Sequence, residues 1–315
     1  MKGSFQRYKI IPLLLFSAIL IGCVSTYANG WRQQPDGQPY EVKEFNVSTP
    51  IQLNVRTSGG NIRIESRYSN KVRVEMYVRK SGHYLTPSDN ALKGYDIDIS
   101  KHGSEIRAIA HHSGMGFHFG SQPSISFVLY TPKASDGDLH TSGGNISIQG
   151  LEGNMQTHTS GGNIDATDLN GSYTLKTSGG RISIHKVNGK VRANTSGGSI
   201  DVAEASGILS LHTSGGNISL QNVSGEIDGK TSGGNISAKI QKVTNQVSLK
   251  TSGGNVNVSI PSDKGYSLEL KGGSVHTNLQ NFNGTMRNDR VDGTVRGGGP
   301  KIILKTSGGS VHLYN

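Results

Sequence analysis

Nine positions directly before a recurring Thr-Ser-Gly-Gly tetrapeptide hold Arg56, His140, His158, Lys176, Asn194, His212, Lys230, Lys250 and Lys305. All but Asn194 are cationic or become so on protonation. Gathered on one face, such side chains would bind anions. Lys and Arg would do so by permanent charge, and His by charge gained near its ordinary pKa of about 6.5. This is recognition chemistry, with no bond made or broken. Two readings stand side by side: an anion-binding rail, or a solvated face whose lysines discourage edge-to-edge aggregation. Like charges about 5 Å apart in water repel by roughly 1 kcal/mol or slightly less, and by less in salt. That cost has no evident structural return. A binding rail predicts tighter anion binding as the pH falls through about 6.5.

Other candidate chemistry is thin. His111, His112 and His118 fall in a stretch that reads as an exposed loop, His111-His112-Ser113-Gly114-Met115-Gly116-Phe117-His118. Imidazoles suit Zn or Cu, but no Cys is near, and Glu105 is the one carboxylate within easy sequence reach. Asp165 and Asp201 share an outward column two repeats apart, about 9–10 Å by strand spacing. That separation is near the inverting-glycosidase range. Neither shows a local signature of a raised pKa, so solvated surface carboxylates are expected. No nucleophile elbow, phosphate-binding loop or zinc-protease motif is present. The repeat is not the calcium-binding nonapeptide. No metal or cofactor is expected, and the chain does not read as an enzyme.

These side chains need elements to position them. Thr-Ser-Gly-Gly begins at Thr57, Thr141, Thr159, Thr177, Thr195, Thr213, Thr231, Thr251 and Thr306, with a step of 18 from Thr141 to Thr231 and then one of 20. Lys271-Gly272-Gly273-Ser274 is a worn copy. Two residues past each glycine pair stands an apolar residue, as at Ile146, Ile164, Ile182, Ile200, Ile218 and Ile236. A second stands two further on, with Ser or Asp between. Alternation of this kind marks strands with one buried face. A period near 20 marks a stacked array. The expected fold is all-β: a single-stranded parallel β-solenoid with coils of about 18 residues, each coil templating the next. The glycines are read as supplying positive φ at corners. The Asn that follows six of the pairs, Asn61, Asn145, Asn163, Asn217, Asn235 and Asn255, is read as a stacked amide ladder. Roughly nine or ten coils would make a rod about 45 Å long. Residues 66–140 break the period but hold strand-like runs at residues 71–79, 97–100, 105–110 and 124–130. They read as longer coils or a hairpin bulging from the solenoid.

The N-terminus reads as an export signal. Lys2, Arg7 and Lys9 precede a 12-residue apolar run, Ile10 to Ile21, too short to span a bilayer. Leu20-Ile21-Gly22-Cys23 resembles the bacterial lipobox, in which Cys23, the one cysteine of the chain, becomes lipidated. Val24 after it suggests outer-membrane sorting. The alternative is cleavage after Ala28, giving a soluble periplasmic or secreted protein. The expected organisation is signal peptide 1–22, linker 23–40, N-terminal β coils with an irregular insertion 41–140, and regular repeats 141–315. Losing Lys2, Arg7 and Lys9 takes the net charge from +10 to +7. A basic exported protein is predisposed towards anionic surfaces. Lipopolysaccharide, acidic polysaccharide and phospholipid headgroups are the expected partners and nucleic acid is not; self-association through open coil edges stays open.

The Thr-Ser-Gly-Gly-Asn-Ile-Ser-Ile repeats resemble the bacterial "putative adhesin" β-strand-repeat family of envelope proteins. Ser126-Phe127-Val128-Leu129-Tyr130-Thr131-Pro132 and Gly297-Gly298-Gly299-Pro300 fit it too. The resemblance spans about residues 40–315. It implies the solenoid architecture and carries over no functional residues. Three functions compete. The first is a lipid-anchored, non-enzymatic adhesion or binding module for an anionic polymer or surface. The second is a structural spacer or self-assembling scaffold. The third is a polysaccharide-acting enzyme, which would need one of the surface Asp residues.

Overall fold

The computed structural model describes residues 37–113 and 122–314. The expected signal peptide, Cys23, Ala28 and His118 lie outside the described residues.

The regular core is built from the repeats. Ile164–Lys176, Ile182–Asn194, Ile200–His212 and Ile218–Lys230 are 13-residue strands, followed by Ile236–Lys250. They stack in parallel, with Ile164, Ile182, Ile200, Ile218 and Ile236 in register. Each 13-residue strand turns at two positive-φ positions, which separate a leading part from a trailing part. Its leading part carries the Ile-x-Ile alternation, and its trailing part ends at the residue before Thr-Ser-Gly-Gly. Every inward column is buried: Ile164 to Ile236, Ala166 to Ala238, Leu169 to Val223, and Tyr173 to Val247. Burial of such apolar surface is the main force holding the stack.

The tetrapeptide has a structural cause that alternation alone does not reveal. Its Thr is buried in every copy. The Thr177 hydroxyl donates to the Gly162 carbonyl one coil back at 2.8 Å and accepts the Gly180 N–H at 3.2 Å. Thr159, Thr195, Thr213 and Thr231 repeat the pattern. The second glycine of each pair is needed for close approach. A Cβ on Gly180 would lie 1.9 Å from the Gly162 carbonyl oxygen. The positive-φ corners lie elsewhere. One is the column Gly153, Gly171, Gly189, Gly207 and Gly225; the other opens with Gly150 at φ 73° and continues with Asp168, Lys186, Glu204 and Asn222 at φ of 53–56°. The Asn column also differs from a stacked amide ladder. The Asn145 side-chain oxygen accepts the backbone N–H of Asn163, and Asn163 accepts that of Arg181, both at 2.8 Å.

Both ends depart from simple sequential stacking. At one end Ile51–Thr57 lies between Ser135–Thr141 and Glu105–His112, while Ile62–Ser66 lies between Ile146–Gln149 and Ser124–Thr131. The aperiodic segment therefore supplies a further coil and does not bulge sideways. Antiparallel strands then close this end: Tyr95–His102 on Glu105–His112, and Lys71–Lys80 on Ser124–Thr131, with Glu41–Asn46 outside it. At the other end the last coil in sequence is inserted between earlier ones. Lys301–Lys305 sits between Ile236–Lys250 and Tyr266–Lys271, and Ser310–Tyr314 between Val256–Ser259 and Ser274–Thr277. The hairpin Phe282–Arg287 and Arg290–Val295 closes that end, antiparallel to Tyr266–Lys271.

Candidate functional site: a basic ladder

The column before Thr-Ser-Gly-Gly becomes one continuous ladder. Strand register joins Arg56 to His140, His140 to His158, His158 to Lys176, Lys176 to Asn194, Asn194 to His212, His212 to Lys230, Lys230 to Lys250, and Lys250 to Lys305. Lys305 pairs in turn with Lys271. Lys271 is a tenth rung that repeat counting misses, because its coil lacks the Thr-Ser of the motif. The Leu268/Leu270 alternation before it was the available signal. The pitch is the strand spacing, about 4.8 Å, so ten rungs span roughly 43 Å. Strand insertion also sets the order of charge: Lys230, Lys250, Lys305 and Lys271 form an unbroken lysine run, whereas Arg56, His140, His158 and Lys176 form a mixed end.

The rungs point away from the core. Arg56, Lys176, His212, Lys230 and Lys271 are exposed, and His140, His158, Asn194, Lys250 and Lys305 half-buried. Three rungs have acidic partners on the same face. Arg56 pairs with Asp138, Lys230 with Asp228 at 3.0 Å, and Lys305 with Glu269, which also meets Lys301 at 3.0 Å. Bonds from Lys305 and Lys301 hold the Glu269 carboxyl down at about 2. Among the described residues no carboxylate lies within ion-pair distance of Lys176, Lys250 or Lys271. The His140 and His158 rings stack with centroids 5.0 Å apart. Partial burial, then the neighbouring His158 and Arg56, lowers the pKa of His140.

The remaining candidates resolve differently. His111 and His112 belong to the strand Glu105–His112 and not to a loop. His111 lies 3.2 Å from Asp96 across the antiparallel pair, and His112 packs edge-on against Tyr95. Among the described residues no group of three or more His, Cys, Asp or Glu side chains is placed to hold a metal. Asp165 and Asp201 both register against Ser183. Contrary to the sequence expectation, burial raises the pKa of both. Their environments are alike, with Arg181 acting on each. Acid–base pairs are instead pushed apart in pKa, so this symmetry assigns no acid and no base.

No helix of the described residues is long and apolar enough to cross a membrane. No curated protein matches the sequence. Three solved structures are similar over most of the chain. One, a "putative adhesin" from Bacteroides fragilis, is 12% identical, covers 87% of this chain and 96% of its own, and has a TM-score of 0.36. Another, a "putative lipid binding protein" from Parabacteroides distasonis, is 14% identical, covering 88% and 97%, with a TM-score of 0.35. The third, a "putative cell adhesion protein" from Clostridium sporogenes, is 10% identical, covering 88% and 99%, with a TM-score of 0.22. At these scores the likeness says nothing about the ladder. The family described as Toastrack DUF4097 matches residues 51–314, and the chain belongs to it.

Proposed function

We propose that the protein is a non-enzymatic binding module of the bacterial cell envelope, lipid-anchored at Cys23, whose basic ladder engages an extended anionic ligand. The supporting observation is the ladder itself: nine cationic or protonatable side chains brought into register at one strand position. The aggregation-control reading accounts for it poorly. Protective lysines belong on edge strands, where unpaired backbone groups would recruit another chain. The strands carrying Lys176, Lys230 and Lys250 are paired on both sides. Stacked like charges then oppose the fold, and an anion bound along them would relieve the repulsion. The anchor is supported by the Lys2, Arg7 and Lys9 segment, the apolar run and Gly22-Cys23. Outer-membrane placement is proposed on Val24.

Polyphosphate binding at two salt concentrations tests the ladder. The wild type should bind, and more weakly at high salt. K176S/K250S/K271S should lose about tenfold or more. Equal binding by this variant and the wild type would return the stripe to a solvated face. A scaffold that stacks end to end is less well supported, because antiparallel strands close both ends of the stack.

A further inference from the structure

The ladder face has a recess whose chemistry differs from that of the rungs. Beside Arg56, His140, His158 and Lys176 lies a hollow of about 290 Å3, whose polar lining includes Gln52, Asp136, Asp138, Asn154, Gln156 and Thr174. These side chains project from the same strands as the rungs. They stand two and four residues earlier, so they share the outward face. One Asp136 oxygen accepts the Asn154 backbone N–H and side-chain amide, and one Asp138 oxygen is held by Arg56. No donor among the described residues engages the other oxygen of either carboxylate. The Gln52 and Gln156 side-chain amides likewise make no hydrogen bond among the described residues. The recess therefore offers unused acceptors and two unused amides, while the rungs beside it offer positive charge.

A ligand that suits both must bring hydroxyl donors over the recess and an anion over the rungs. Asp138 and Gln156 stand two residues from the rungs, roughly 7 Å along the strand, and Gln52 and Asp136 four residues, roughly 13 Å. A bare polyphosphate supplies the anion. It brings no hydroxyls, and it would set negative charge against Asp136 and Asp138. A sugar acid supplies both from one ring, with its carboxylate on one side and vicinal hydroxyls on the other. We propose that the ligand is an acidic polysaccharide lying along the ladder, with the hydroxyls of one sugar ring seated on Asp138 and Gln156, its carboxylate on His158 and Lys176, and the hydroxyls of the neighbouring ring over Gln52 and Asp136. This rests on the ladder binding anions at all.

Calorimetry on the purified protein at one pH and ionic strength tests it. The ligands are a short oligogalacturonate, a polyphosphate of matched charge, a neutral dextran oligomer and phosphatidylglycerol vesicles. Oligogalacturonate should bind at least about tenfold more tightly than polyphosphate, and dextran not measurably. Gln52 and Gln156 are exposed, so Q52A/Q156A should fold normally. It should lose most of the oligogalacturonate preference and keep polyphosphate affinity. Polyphosphate binding as tight as oligogalacturonate, or a Q52A/Q156A variant that behaves as wild type, overturns the sugar seat and leaves the ladder standing. Binding to vesicles but not to oligogalacturonate overturns it in favour of a lipid surface. Binding to none of the anions overturns both.

Discussion

At the scale of single residues, the two glycines of the tetrapeptide do different work, although the sequence shows them as a pair. A Cβ on Gly179 would find its nearest neighbour at 3.7 Å, an ordinary contact, whereas one on Gly180 would strike the Gly162 carbonyl oxygen. Gly179→Ala should therefore shift stability by no more than about 0.5 kcal/mol, while Gly180→Ala should cost about 3 kcal/mol or more. Urea unfolding of the two variants checks this, and equal losses would refute the close-approach account. The buried Thr allows a second comparison. Thr177→Val keeps the shape but leaves the Gly162 carbonyl and the Gly180 N–H without their partner, a loss of about 1–3 kcal/mol. Thr177→Ser keeps the hydroxyl and should lose distinctly less. The inward parity of Thr177 was legible, since it stands two residues after Leu175. Its hydrogen bonds were not, because one partner belongs to the preceding coil and depends on the stacking geometry.

At the scale of the coil, the period and the apolar columns were legible because every repeat carries the same alternation. The Asp168, Lys186, Glu204 and Asn222 corner was not. After Gly150, four different side chains occupy it, so no single residue type marks the left-handed backbone that the column adopts. L-residues other than Asn and Asp are disfavoured there by roughly 1–2 kcal/mol, partly offset by the chain entropy that glycine adds to the unfolded state. Lys186→Gly and Glu204→Gly should consequently stabilise the protein by up to about 1 kcal/mol each, and Asn222→Gly by less. Thermal unfolding reads the order; destabilisation by all three would contradict the corner geometry. The ends were the least legible. Thr306 begins a normal copy of the motif, yet its coil lies between those of Thr251 and Lys271. Only pairing between distant segments sets that position. The ladder inherits this: without the insertion, Lys305 would not separate Lys250 from Lys271.

At the scale of the whole molecule, the ladder couples fold stability, protonation and ligand. Glu269, held at about 2, stays ionised well into acid. Acid sensitivity between pH 7.5 and pH 5.5 therefore belongs to the histidine half. His140 faces Arg56, His158 and Asp138, with Lys176 one rung beyond His158. Its folded pKa lies below the ordinary value of about 6.5, so the fold prefers the neutral ring. The stability this contributes is present above about pH 6.5 and is lost as the pH falls through the folded pKa. An anion on the ladder favours the charged ring and reverses the preference, so binding takes up protons. Two trends should then diverge on acidification: the melting temperature of the free protein falls, while the increase produced by saturating polyphosphate grows. His140→Asn should flatten part of both trends at low salt, and K176S/K250S/K271S should shrink the polyphosphate effect at every pH. A polyphosphate-induced rise in melting temperature that is the same at pH 7.5 and pH 5.5 would show that the histidines are bystanders and that the lysine run alone holds the ligand.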